Sequence, residues 1–391
     1  MDFKIPFSGR SHFYNEAEIN EVTRVMKEAI PLTQGKYLKS FEQKLRSYFN
    51  IENIFAVNSA TSALEMAAQL CRFQKDDEVI IPSHTYTSSA YPFIKSGAKV
   101  IWADIDKQTR VVSSDTIERC LTNNTRAIVV VHLYGYATDM KSIMKLAKKR
   151  NILVIEDVAQ AIGTKINNEF AGSFGDLGIF SFHSHKNITT LGEGGAIAIK
   201  DKKLADSIPM LRHNGHCPFS YERESYWIPA MGNVDLPSIE GKFLLPNNYC
   251  IGEVECALGI KLLDRLESIN QLKRKRAINF IDSLNNFGEL IFHRVDSLQH
   301  NYHLLVAEVK NGLRDKLIRI MSEDESVQCA VQYYPLNRYD LYKKLGLGNS
   351  KCPNADNFFD NMISFPFHHL LSDEEINYVL EATKRSLKKL Q

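Results

Sequence analysis

A chain of 391 residues exceeds what one small core organises, so two units are expected, a large one over 1–250 and a small α/β one over 251–391 that opens with a long linking helix. A hydrophobic share of 44%, a charged share of 24% and a net charge of +2 are those of a soluble globular protein and exclude nucleic acid and anionic membranes as evident partners. The seven cysteines are scattered without a CxxC pair, no apolar run reaches membrane-spanning length and residues 1–6 carry no leader pattern, so reduced thiols in a cytoplasmic protein are expected.

The first elements are helical. Residues 16–30 place Ile19, Val22, Val25 and Met26 on one face, and residues 38–48 repeat the pattern with Phe41 and Leu45. Strands and helices then alternate. Strands are expected at 54–57, 78–81, 99–103, 127–133 and 152–155, and helices at 60–71, 88–96, 114–121 and 139–149. Two more short strands, 179–182 and 196–199, enclose a polar segment and a glycine-rich turn at Gly192, Gly194 and Gly195. Such alternation gives an α/β fold with a largely parallel sheet covered by helices on both faces. After residue 250 the pattern changes to a mostly helical stretch over 252–287, strand-like runs at 302–309 and 327–334, and a last helix over 373–389. The basic cluster Lys273 to Arg276 reads as a solvated helix face, with phosphate contact as the minority reading.

In parallel sheets ligands sit beyond the carboxyl ends of the strands, and four polar groups fall there. Lys186 lies between two strands with Ser181, His183 and His185 around it, a poor place for mere solvation. Neighbouring cations and partial desolvation lower a lysine's pKa and make it a nucleophile, which points to Schiff-base chemistry; an arbitrary loop lysine is more often simply solvated. Asp157 and Gln160 follow a buried strand, and no His, Cys or Asp spacing nearby completes a metal site. Ser59, Ala60 and Thr61 open a helix and offer an anion site, although plain capping explains them equally well. Tyr86, after the strand ending near Pro82, offers a flat face for stacking or a core aromatic. Together a lysine, an acid for a ring nitrogen, a helix N-terminus and an aromatic describe one ligand, pyridoxal phosphate.

The same residues carry a resemblance. LTQG (32–35), NSATSAL (58–64), DEVIIP (77–82), VHLYG (131–135), ED (156–157), FSFH (180–183), KN (186–187), GEGG (192–195) and FP (365–366), in this order, resemble the DegT/DnrJ/EryC1/StrS family of pyridoxal phosphate-dependent sugar aminotransferases over nearly the whole chain. The resemblance implies the type I fold of such transferases, with a mostly parallel mixed seven-stranded sheet in the large unit. It implies that Lys186 is the Schiff-base lysine and Asp157 the acid at the pyridine nitrogen. Gln160 and His183 would lie near the phenolic oxygen and ring, and Ser59 or Ala60, Thr61 and Ser181 would hold the phosphate. Tyr86 would stack on the ring, and Asn248 would reach the cofactor of a partner subunit in a homodimer. The implied reaction is a ping-pong transfer of an amino group from L-glutamate to a keto sugar, for a surface polysaccharide. In dehydratase members a histidine replaces the lysine, so transamination is the stronger reading.

The family's usual Asn-Tyr-Arg is here Asn248-Tyr249-Cys250, and its Arg-x-His-Gly is Arg212-His213-Asn214-Gly215. Between them lies a long stretch with Tyr221, Arg223, Tyr226 and Trp227, a sugar grip or a dimer arm. These departures leave a nucleotide-linked substrate and a sugar acid, such as an 8-oxo derivative of the eight-carbon acid Kdo, both open. A dinucleotide-dependent oxidoreductase is excluded because no GxGxxG follows the first strand. A regulator without turnover would retain the phosphate site but could lack Lys186 or carry a DNA-binding module, neither of which is seen.

Overall fold

The computed structural model describes residues 2–7, 12–219, 231–239, 241–293 and 299–390. Its centre is a seven-stranded sheet made of β1 (Ile54–Val57), β2 (Glu78–Pro82), β3 (Lys99–Ala103), β4 (Thr125–Val131), β5 (Leu153–Asp157), β6 (Leu177–Ser181) and β7 (Gly195–Ile199). The strand order is β1-β7-β6-β5-β4-β2-β3. All neighbours pair in parallel except β7, which runs antiparallel to β1 and β6. The runs are apolar and β-branched because both faces are covered. Alternate residues divide between two cores: Val79, Ile81, Val129 and Ile155 face one side, and Ile80, Ile128, Val130 and Val154 the other.

Local chemistry sets the helix ends. Asn15 and Glu18 form a reciprocal cap on Glu16–Glu28, Ser59 caps Ala60–Cys71, and Asp139 caps Met140–Arg150. The helix expected over 88–96 is instead a short turn, Thr87–Ser89, followed by Tyr91–Lys95, because Pro92 suits the first turn of a new helix better than the interior of a longer one. The strand expected over 127–133 starts earlier and ends at Val131, where the chain turns through Leu133–Gly135.

A second sheet joins β8 (Leu290–Phe292), β9 (Leu305–Val309) and β10 (Met362–Phe365), all antiparallel. Helices Arg314–Glu323 and Asp373–Lys388 close its core. The strand expected over 327–334 does not form: Val327 makes a single bridge to Ile5 and Ala330 one to Ser364, which leaves the rest of the run outside the sheet. The stretch 252–287 is two helices, Glu253–Leu263 and Leu266–Ser283. Cys256, Leu258 and Leu262 of the first belong to a core of the large sheet. The second begins in that core with Leu266 and Ile269 and ends in the small one with Ala277 and Phe280. We propose that the chain passes between its units within this second helix, later than the expected boundary at 250/251. No helix among the described residues is long and apolar enough to cross a membrane.

Candidate active site

Strands β1, β2, β4, β5 and β6 end at one edge of the sheet, and β7 starts there. The loops after them line a cavity of about 590 Å³ that contains Ser59, Ala60, Thr61, Tyr86, Asp157, Gln160, Ser181, His183 and Lys186. Nine of the ten residues singled out in the sequence therefore meet. Asn248 does not line the cavity; it is exposed and its backbone bridges His213. Gly195 lets β7 pass close to the start of the helix after β1, since a Cβ there would lie 2.5 Å from the Ala60 nitrogen and the Ser59 carbonyl carbon.

Asp157 ends β5 and is 5% exposed. Its Oδ2 accepts from Ser89 Oγ at 2.8 Å and its Oδ1 from the Ala159 N–H at 3.0 Å, which fixes the carboxylate's direction. Lys186 is partly open to the cavity but enclosed enough that burial pushes its amine down to about 8, against the opposing pull of Asp157 and Glu193. Its carbonyl accepts from His12 Nε2 at 2.8 Å, which anchors the backbone that carries it. His183 stands half-buried with its Nε2 3.7 Å from Glu193 Oε1. Burial lowers the His183 pKa, Glu193 raises it, and Lys186 and His185 lower it again.

Gln160 accepts from the Tyr134 N–H at 2.7 Å and donates to the Tyr333 hydroxyl at 2.8 Å. Its amide is thus committed to holding Tyr333, which meets the exposed Tyr86 edge-on at 5.9 Å between centroids. Thr61 donates to Ser88 Oγ at 3.1 Å, next to the first N–H groups of its helix. These residues fit pyridoxal phosphate: an amine for the carbonyl, a fixed acid for the ring nitrogen, a hydroxyl-bearing helix start for the phosphate and an aromatic beside them.

Residues 13–384 match the DegT/DnrJ/EryC1/StrS aminotransferase family. The chain belongs to that family. It is 31% identical to UDP-4-amino-4,6-dideoxy-N-acetyl-beta-L-altrosamine transaminase of Campylobacter jejuni over 96% of both chains. It is 30% identical to GDP-perosamine synthase of Escherichia coli O157:H7 over 90% of both. Helicobacter pylori PseC, an aminotransferase involved in the biosynthesis of pseudoaminic acid, shares the fold with a TM-score of 0.88 and 24% identity, covering 98% of this chain and 99% of that one. The enzyme is a sugar aminotransferase that uses pyridoxal phosphate, and it makes amino sugars by transamination.

Two features that stood out in the sequence of this aminotransferase lie elsewhere. Arg212 is buried and spent on Glu42 Oε1 at 2.5 Å and the Ala56 carbonyl at 2.6 Å, a tie between the sheet edge and the second helix. Cys250 leans on the Arg212 carbonyl at 3.5 Å, outside the cavity. Tyr221, Arg223, Tyr226 and Trp227 lie outside the described residues.

The cavity also holds residues that sequence reasoning missed. The basic cluster is not a uniformly solvated face: Lys275 is exposed, but Lys273 is 3% and Arg274 7% exposed. Arg274 pairs with Glu267 at 2.8 Å, and Lys273 reaches the cavity. The spacing held the signal, because Ile269, Lys273, Ala277 and Ile281 recur every four residues and form the helix's buried stripe. His303, Tyr333, His368 and His369 come from loops of the small unit and left no local pattern.

Proposed function

We propose that this enzyme transfers the amino group of L-glutamate to a nucleotide-linked deoxy keto sugar, as a cytoplasmic homodimer that supplies an amino sugar for a surface polysaccharide. The observation that carries the reading is an enclosed lysine with an amine near 8 sharing one cavity with a carboxylate whose direction is fixed by two donors. The nucleotide-linked sugars in the names of the two relatives support the acceptor class.

Pyridoxal phosphate, when bound, supplies a ring that holds the charge left when the substrate carbon loses its proton. Lys186 Nζ would hold the cofactor at rest and, once freed, would be the base that takes and returns the donor's Cα proton. Its value near 8 leaves a neutral fraction of the amine at neutral pH. Asp157, oriented by Ser89 and the Ala159 N–H, would hold a proton at the ring nitrogen. The helix start at Ser59, Ala60 and Thr61, with Ser181, would take the phosphate. Tyr86 and His183 would lie against the ring, and Gln160, which fixes Tyr333, would lie near the cofactor's edge. Asn248, exposed and outside its own chain's cavity, would be free to reach a partner subunit's phosphate. Ile30 (97%), Phe243 (80%) and Leu245 (74%) are large apolar side chains left exposed, which a dimer contact would cover.

The test is a visible spectrum of the purified protein before and after L-glutamate. The yellow band of the lysine-bound cofactor is expected to bleach and to return when the right keto sugar is added. No band after added pyridoxal phosphate removes Lys186 from its role, and a band indifferent to glutamate removes the donor.

A further inference from the structure

We propose that Lys273, with His368 and His369, forms a subsite for a substrate carboxylate at the roof of the cavity, a proposal that rests on the aminotransferase reading of this site. Lys273 Nζ donates to Asn187 Oδ1 at 3.1 Å and to the His303 carbonyl at 3.0 Å. In its protonated form the amine has three N–H bonds, two of them used here; the third has only the face of the Phe367 ring, 5.5 Å away at its centroid, on offer and can turn to a ligand. Asn187 is the residue after Lys186, and its amide is held by Asn270 at 2.7 Å, so this amine is tied directly to the reacting end of the cavity.

No carboxylate of the described residues pairs with Lys273, which is 3% exposed. A buried cation without a counter-ion is costly to maintain and is uncommon away from a functional site. Burial alone pushes the amine down to about 7. The surroundings add no negative charge: His303, His368 and His369 stand beside it, while the acids of the cavity, Asp157 and Glu193, accompany Lys186. Two buried ring nitrogens, His368 Nδ1 and His369 Nε2, have no hydrogen-bond partner. An arriving carboxylate would accept from Lys273 and from a histidine N–H, and would supply the missing opposite charge. Two substrates carry that group, a dicarboxylic amino donor and a sugar-acid acceptor.

The test titrates the cofactor-loaded protein with glutarate, a dicarboxylate that has no amine to react, and in a second arm with the sugar acid Kdo. Lys273→Gln retains hydrogen-bonding capacity without the charge, and Lys273→Arg retains the charge. Wild type is expected to bind at least one of the two acids, Lys273→Gln to bind it at least roughly tenfold more weakly, and Lys273→Arg to stay within roughly threefold. Weakening for glutarate assigns the subsite to the donor and weakening for Kdo to the acceptor. Equal affinity in wild type and Lys273→Gln, or no binding of either acid, overturns the proposal. Crystals of wild type soaked with the bound acid decide the matter even if a variant does not fold: a carboxylate beside Nζ supports the subsite, and density elsewhere overturns it. The cofactor's yellow band is recorded in every sample, so failure of the aminotransferase reading shows itself separately.

Discussion

Asp157 and Lys273 are both nearly enclosed charged groups on one cavity, 5% and 3% exposed, and they are held in opposite ways. Asp157 sits at a strand end and takes two hydrogen bonds from residues of the same large unit, Ser89 and Ala159. Lys273 sits in the middle of the helix that joins the two cores, and it bonds one group from each side, Asn187 and the His303 carbonyl. The floor is thus built complete and rigid, as electrostatic preorganisation requires. The roof holds an amine whose opposite charge is not supplied by its neighbours. A site of this kind has its chemistry fixed by the sheet and its specificity placed where the second unit meets the first.

Removing floor residues should cost the most. Lys186→Ala is expected to lower turnover by at least ~10⁴-fold, with the far-UV spectrum and oligomeric state unchanged, because it removes both the covalent anchor and the proton carrier. Retained transamination would take Lys186 out of the reaction. Next to Asp157, Glu156 is fully buried and accepts the N–H groups of Gly172 (2.9 Å), Phe174 (2.7 Å) and Gly175 (2.6 Å) while holding His132 at 3.0 Å. Glu156→Ala strands that network, so urea unfolding is expected to show a loss of about 3–5 kcal/mol. A loss under about 1 kcal/mol would mean that the loop repairs itself with water. Asp157→Asn keeps the shape, and it is expected to slow the donor half-reaction by ~10²-fold in stopped-flow absorbance while stability changes little. An unaltered rate would leave Asp157 a structural role only. The pair therefore separates two adjacent acids, one that holds the fold and one that acts on the ligand.

The floor was legible in the sequence because each part is local. A buried strand followed by Glu156-Asp157, a helix cap at Ser59, and a lysine between two short strands are all readable within a few residues. The alternation of strands and helices set the sheet, and the rule that ligands gather at strand ends placed four separate signals together. The roof was illegible for a different reason. His303, Tyr333, His368 and His369 come from loops whose positions depend on packing between two cores, and no local period encodes that. Lys273 lies between these cases. Its place on the stripe of Ile269, Ala277 and Ile281 was visible, yet its neighbours Arg274 to Arg276 made the run look like a solvated face. Likewise, the run over 327–334 had the composition of a strand, but it meets the open edge of β10 only at Ala330, which exchanges both backbone hydrogen bonds with Ser364, and so it forms a single bridge there.

The smallest effect sharpens the contrast between floor and roof without any ligand. Lys273 in the folded protein is pushed down to about 7 from an ordinary value of 10.5, and burial is the cause. Between those values the unfolded chain binds a proton that the folded one does not. Stability therefore rises with pH across this window, by up to about 1.4 kcal/mol per pH unit for one such group. Lys186, pushed down to about 8, adds a rise of the same sign at the upper end. Tyrosines and cysteines titrate there as well, but they are common to wild type and Lys273→Gln and cancel in the difference. Cofactor-free wild type is thus expected to gain more unfolding free energy than Lys273→Gln between pH 7.5 and pH 9.5, read by urea titration. An equal gain would mean that burial does not lower this amine in solution, whether an acidic partner or water solvates it, since a lysine whose value is not lowered contributes no rise in this window. The roof would then be as self-contained as the floor, and no substrate carboxylate would be needed to complete it.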